Sequence, residues 1–151
     1  VVKTPRTQFY YVTFNMGDPI LSKPKVRQAI KYLVDYDGLE KTVMKYEGRA
    51  RQSLVPMGAF GALSYEEGKP FKLDLEKAKQ LLAEAGHPNG FSIQMDVRTG
   101  YPTTEMAQSI QSTFARAGIK MEIIPGDGRQ FLVIAVGAAG VPAELVALAL
   151  P

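Results

Sequence analysis

Residues 91–124 confine the fold more tightly than any other stretch. Phe91, Ile93, Met95 and Val97 alternate with Ser92, Gln94 and Asp96, the period-two pattern of a strand with one buried face. Thr103 or Thr104 then opens a helix that turns Met106, Ala107, Ile110, Phe114 and Ala117 inward, and Gly118 stops it. Ile119, Met121 and Ile123 alternate again as a further strand. Strand, helix and strand within about 35 residues make a βαβ unit. Its strands are expected to run parallel, joined by a right-handed crossover. The fold class that follows is α/β, a mixed sheet flanked by helices.

The upstream chain supplies further pieces. Phe9 to Phe14 is apolar on both faces and rich in aromatic and β-branched residues, which reads as a buried strand. Asn15 to Pro19 turns the chain. A helix follows, with Ser22 as its cap, Pro24 in its first turn, and Val26, Ala29, Ile30 and Leu33 on one face. Asp35 or Asp37 caps a second, short helix running to about Tyr46, with Leu39, Val43 and Met44 inward. Asp74 caps a third, whose inward positions are Leu75, Ala78, Leu81, Leu82 and Ala85 and which Gly86 ends. Between them, residues 49–73 read as a long loop, and loops of that length in a compact domain usually cover or bind something. From Phe131 to Pro151 only Glu144 is charged. The division expected is therefore a body over residues 1–130 and an apolar tail over 131–151.

Composition narrows the function. With 151 residues the chain builds one core. It has no cysteine, which removes disulfides, thiolate metal sites and cysteine nucleophiles while leaving the compartment open. The net charge is +3, with Lys and Arg interleaved among Asp and Glu, so no nucleic-acid partner is indicated. The longest apolar stretch, Phe131 to Ala143, falls short of the roughly 20 residues that cross a bilayer. No secretory signal opens the sequence, an absence equally expected of a mature or truncated exported protein.

Reactive chemistry is scarce. His87 is the single histidine, set between a helix-ending glycine and Pro88-Asn89-Gly90, and it reads as a turn residue rather than a base or ligand. Gly126-Asp127-Gly128 lacks the spacing of a phosphate or calcium loop and reads as a tight turn. The pairs Glu66-Glu67 and Asp35/Asp37 suit capping or solvation. Lys23, Lys25, Arg27 and Lys31 read as the solvated face of a helix, with Arg27 close enough to the apolar stripe to pair inwardly with a carboxylate such as Asp35. Neither an enzyme nor a cofactor is expected, because Ser53, Ser64, Ser92, Ser109 and Ser112 have a single histidine to activate any of them.

Several strings occur in a recognisable order. They are Asn15-Met16-Gly17-Asp18-Pro19, Lys25-Val26-Arg27-Gln28-Ala29-Ile30 with Val34-Asp35, then Gly48, Ala50, Val55-Pro56 and Gly58. Asp74 to Gly86 follows as DLEKAKQLLAEAG, then Gly90-Phe91 and Gln108 to Ile119. Together they resemble the extracytoplasmic solute-binding proteins of family 5, the oligopeptide-, dipeptide- and nickel-binding receptors of ABC importers. The resemblance implies a periplasmic-binding-protein-like lobe, covering the start and middle of the second major lobe, with a periplasmic or extracellular, membrane-associated location. It implies peptide or small-molecule solutes as partners, together with the importer's membrane subunits and the first lobe of the same receptor. Beyond Arg129 the sequence departs from the family pattern.

Ligands of open α/β sheets gather at the carboxyl ends of strands. That rule selects Asn15, after the first strand, and Arg98 with Tyr101, after the second, as ligand-binding residues. Arg98 would pair with an acidic group, and Tyr101 would stack or donate a hydrogen bond. The competing account is an exposed turn held by Thr99, Gly100 and Pro102. A small cytoplasmic α/β interaction module is the alternative function.

Overall fold

The computed structural model describes residues 10–46, 48–50, 52–53, 55 and 60–126, and the backbone of 134–137. In chain order the elements are β1 (Val12–Phe14), α1 (Pro24–Leu33), α2 (Tyr36–Lys41), α3 (Leu75–Glu84), β2 (Ser92–Arg98), α4 (Thr103–Ala115), β3 (Lys120–Gly126) and β4 (Ile134–Gly137). The four strands form one mixed sheet in the order β1-β4-β2-β3. β2 and β3 are parallel across α4, as their alternation requires, with Met95 opposite Ile123. β1 and β4 are parallel to each other, and β4 is antiparallel to β2. The two halves of the sheet therefore run in opposite directions.

Alternation in β2 produces the core. Ile93, Met95 and Val97 are buried, and they cluster with Val26, Ala29, Ile30 and Leu33 of α1, Ala78, Leu81 and Leu82 of α3, and Ala107, Ile110 and Phe114 of α4. Each fully buried Leu, Ile or Val contributes about 1.5–3 kcal/mol relative to exposure, so this cluster is what holds helices and sheet together. Gln94 and Asp96 point to the other face, where Gln94 Nε2 donates to Glu122 Oε2 at 3.0 Å. Met106, expected inward on α4, is only half-buried.

β3 extends past the expected alternation to Pro125 and Gly126 for a reason its pairing supplies. Lys120 N–H donates to Phe91 O and Gly126 O accepts from Thr99 N–H, so the even-numbered residues of β3 bond to β2. Met121, Ile123 and Pro125 then turn their backbone groups outward, where a missing N–H forfeits no ladder bond. Gln111 Nε2 donates to Met121 O at 2.7 Å, satisfying part of that outer edge.

Several local expectations shift. α1 begins at Pro24 with Lys23 as its N-cap and no side-chain cap bond, so Ser22 does not cap it. α2 is capped by Asp35, which accepts from Gly38 N–H at 2.9 Å, but it ends at Lys41 rather than near Tyr46. Residues 42–46 continue as turns that still bury Met44. Phe9 and most of the apolar tail lie outside the described residues, while Ile134–Gly137 of that tail forms β4 in the interior of the sheet.

The long loop is a strap tied at named points. Gln52 bonds the backbone of Phe71 in both directions, each at 2.7 Å, and the Phe71 ring stands edge-on to Tyr32, 5.1 Å between centroids. Lys69 Nζ, on a side chain only 14% exposed, donates to Asp37 at 2.8 Å, Glu40 at 3.1 Å and the Tyr65 hydroxyl at 3.1 Å. Tyr65 in turn donates to Glu40. The bond from Lys69 holds the Asp37 carboxyl below its ordinary range. Burial pushes Glu40 up, but the hydrogen bonds from Tyr65 and Lys69 outweigh it and hold Glu40 low. Lys69 is likewise pulled down by burial and raised further by its three partners, ending above the usual lysine value.

Candidate functional site

The opposed strand directions decide which candidate residues can act together. Register sets Asn15 level with Gly137 and Gln94, whereas Arg98 lies four residues further along β2. At about 3.3 Å per residue that is about 13 Å along the strands. Arg98 and Tyr101 share one end of the sheet; Asn15 is at the other. The rule of carboxyl ends selected all three, but β1 runs against β2, so its carboxyl end meets the amino ends of β2 and β3.

At the Asn15 end the polar groups are engaged internally. Asn15 is buried, and its Oδ1 accepts from Gly17 N–H at 2.9 Å. Asp18, also buried, accepts through one carboxylate oxygen from Ile20 N–H at 2.7 Å and Leu21 N–H at 3.0 Å. Arg27 NH1 donates to the carbonyls of Leu21 and Ser22, at 2.9 and 2.6 Å, while Asp35 caps α2, so the Arg27–Asp35 pairing anticipated from sequence does not form. The other cations of α1 are engaged too: Lys25 with Glu84 at 2.8 Å, Lys23 with Ala85 O and the His87 ring, both at 3.1 Å, and Lys31 over the Phe71 ring at 4.8 Å. His87 is therefore a turn residue stitched to α1 and set edge-on to Phe91.

The Arg98 end is organised differently. Arg98 ends β2 and is exposed; Tyr101 is 60% exposed, and its hydroxyl reaches across to donate to Val43 O at 2.5 Å. Their loop leads through a cis Tyr101–Pro102 bond into α4, and Thr103 bonds back to the Arg98 and Gly100 carbonyls. Sequence reading missed Thr103, which it took only as a helix start, and the Tyr101–Val43 contact, which spans 58 residues. No short-range pattern signals either. Among the described residues no group of His, Cys, Asp or Glu could hold a metal ion, and no helix is long and apolar enough to cross a membrane. Asp127 and Gly128 lie outside the described residues.

A small mixed sheet backed by helices on its core face is consistent with an α/β lobe of the periplasmic-binding-protein type. The chain matches the model of the bacterial extracellular solute-binding proteins, family 5, over residues 1–137, and it belongs to that family. It is 31% identical to the dipeptide-binding protein of Escherichia coli K12 over 137 residues, 87% of this chain and 25% of that protein. It is 37% identical to heme-binding protein A of Haemophilus influenzae over 116 residues, 73% of this chain and 21% of that one. Among solved structures it is similar to a dipeptide-binding protein from Pseudoalteromonas sp. SM9913 in complex with Met-Leu, with TM-score 0.71 and 25% identity over 83% of this chain and 27% of that one. The PBP AgaA in complex with agropinic acid, from A. tumefacien R10, gives TM-score 0.67 and 36% identity over 76% and 24%. The chain thus spans about a quarter of the length of the relatives it matches.

Proposed function

We propose that this chain is part of the substrate-binding component of an ABC importer, capturing a peptide or similar small solute between two lobes. Residues 1–130 contribute to the second lobe, the first being supplied by the same receptor. Arg98 faces the solute and pairs with an acidic group on it, while Tyr101, whose hydroxyl proton goes to Val43 O, stacks its ring on it. Asn15 is left out of this contact surface, since its side chain forms the turn that enters α1. The reading assigns no reaction and no cofactor, in keeping with a family of solute-binding proteins. It puts the receptor on the outer side of the membrane, delivering to the importer's membrane subunits. Lobe closure by a hinge would remove water from the solute, which one lobe alone does not achieve.

The observation that carries the reading is the contrast at the two ends of the sheet. One end binds its polar groups internally, and the other holds a guanidinium and an aromatic ring out to solvent on a braced loop. The test is calorimetric titration of the complete polypeptide carrying these residues with the dipeptide Met-Leu and with its C-terminal amide. Binding of the free acid that falls about 100-fold in Arg98→Ala, as expected for loss of a charge-assisted contact, supports the assignment. An Arg98→Ala variant that binds like the wild type removes Arg98 from the site. Absence of any Met-Leu binding removes dipeptides as the solute class.

A further inference from the structure

The Arg98–Pro102 loop is fastened by three threonines, and one of them is placed unlike the others. Thr99 bonds Gly126 O through both its N–H and its hydroxyl, each at 3.0 Å, tying the loop to the end of β3. Thr104 Oγ1 accepts from Gly100 N–H at 3.2 Å. Thr103 is buried, and its hydroxyl sits 2.6 Å from Arg98 O and 2.7 Å from Gly100 O, so one donor spans the two carbonyls that bracket the bend. Thr103 is the first residue of α4, where a hydroxyl usually one position earlier would cap the helix. Here the N-cap is Pro102, which makes no side-chain cap bond. The hydroxyl of Thr103 faces back into the loop instead of serving the helix.

Fixing a residue's backbone costs roughly 1–2 kcal/mol of conformational entropy. A loop already fixed before the solute arrives does not charge that cost against affinity. We propose that Thr103 is a positioning residue for solute capture: by clamping the Arg98 and Gly100 carbonyls it fixes the loop in the shape that presents the Arg98 guanidinium and the Tyr101 ring. This rests on the reading that Arg98 contacts solute. Thr103 itself touches no solute; it acts through Arg98 and Tyr101, the latter also braced by its bond to Val43 O.

Thr103→Val keeps volume and branching while removing the hydroxyl, and Thr103→Ser keeps the hydroxyl. In the complete polypeptide, T103V is expected to weaken Met-Leu binding about tenfold, as for loss of one clamping hydrogen bond. T103S should stay within about twofold of wild type, and R98A/T103V should be weaker than R98A by clearly less than tenfold, because the part of the effect that passes through Arg98 is already lost and only the part through Tyr101 remains. A readout without ligand accompanies this: limited trypsinolysis of the Arg98–Thr99 bond, followed by mass spectrometry, should be faster in T103V and unchanged in T103S. T103V binding Met-Leu like wild type while R98A loses it overturns the proposal. So do losses that add in full in the double variant, and so does an unchanged cleavage rate after Arg98. R98A binding like wild type overturns the solute-contact reading first, and this one with it.

Discussion

The two ends of the sheet are built from similar residue types and use them in opposite ways. At the end holding Asn15 and the starts of β2 and β3, carboxylate, amide and guanidinium groups bond to nearby backbone, and the α1 lysines reach α3 and the turn after it. At the Arg98 end, backbone and threonine bonds fix the loop while the charged and aromatic groups extend outward. The first arrangement raises stability, since a buried polar group without a partner is costly and, Arg27 Nε apart, these side chains have theirs. The second adds little stability and leaves an exposed cation and an exposed aromatic ring on a fixed loop. Function in this lobe is therefore sought where side chains are held in place without being consumed by the fold.

The largest expected effect comes from the closed end. Gly90 has φ +77° and Gly118 +83°, and a Cβ at Gly90 would collide with the Gly118 carbonyl, because the lead-ins to β2 and β3 pass backbone against backbone there. Gly90→Ala should cost roughly 3 kcal/mol by thermal unfolding, combining left-handed strain with a clash that cannot move aside. A loss under about 1 kcal/mol would mean this end is looser than described. Asp18→Ala follows: it strips two amide donors of a buried acceptor and should cost about 1–3 kcal/mol. Asn15→Ala, which removes a single turn bond, should cost about 1 kcal/mol. If these two leave stability untouched but impair solute binding, the assignment of the two ends is reversed.

Acid offers a sharper probe of the strap. Asp37 and Glu40 are held below their ordinary values of 3.8 and 4.5 in the folded chain. Depressed carboxylates contribute stability that is present above the unfolded value and lost as pH falls through the folded one. Lys69 has the opposite linkage: its raised value contributes fully below 10.5 and is lost only as pH climbs beyond that. The cluster is thus intact from about pH 5 to 10 and loosens below about pH 4. Asp96, raised by burial, works weakly the other way, favouring the folded chain when protonated. Hydrogen exchange of the strap amides between pH 3 and 6 should show protection lost on acidification in the wild type, with much of that dependence gone in Lys69→Met. A strap whose protection is equal in both at every pH would show that Lys69 does not hold it. Because these groups are near the surface, the magnitude should be modest and should shrink with salt.

What the sequence disclosed follows contact range. The unit from β2 to β3, Met106 apart, the inward faces of α1 and α3, and the Asp74 cap depend on periodicity and on neighbours within four residues, and they stand as read, while of Asp35 and Asp37 it is Asp35 that caps α2. Direction did not stand as read. Nothing within Phe9 to Asn15 says that β1 runs against β2, and that fact moves Asn15 to the far end from Arg98. Side-chain partners across long separations were equally hidden. Arg27 looked suited to Asp35 but found closer carbonyls, and Lys69 with Asp37 joins residues 32 apart. Part of the candidate site was legible because Arg98 and Tyr101 follow a strand. The clamp beneath them was not, because a threonine opening a helix has the same local signature whichever way its hydroxyl points.

The smallest effect predicted is the one that tests the comparison most directly. Arg98→Ala removes an exposed side chain for which no ion pair occurs among the described residues, so unfolding free energy should change by no more than about 0.5 kcal/mol. Tyr101→Phe deletes the bond to Val43 O at an exposed position and should cost less than about 1 kcal/mol. Chemical denaturation of both variants beside Asp18→Ala measures the contrast on one scale, with equal m-values confirming that the same surface unfolds. If Arg98→Ala costs as much as Asp18→Ala, its guanidinium is bracing the fold, and an exposed cation at a strand end no longer argues for a solute. If it costs nothing while solute binding falls, the residue is there for a reason that folding does not supply.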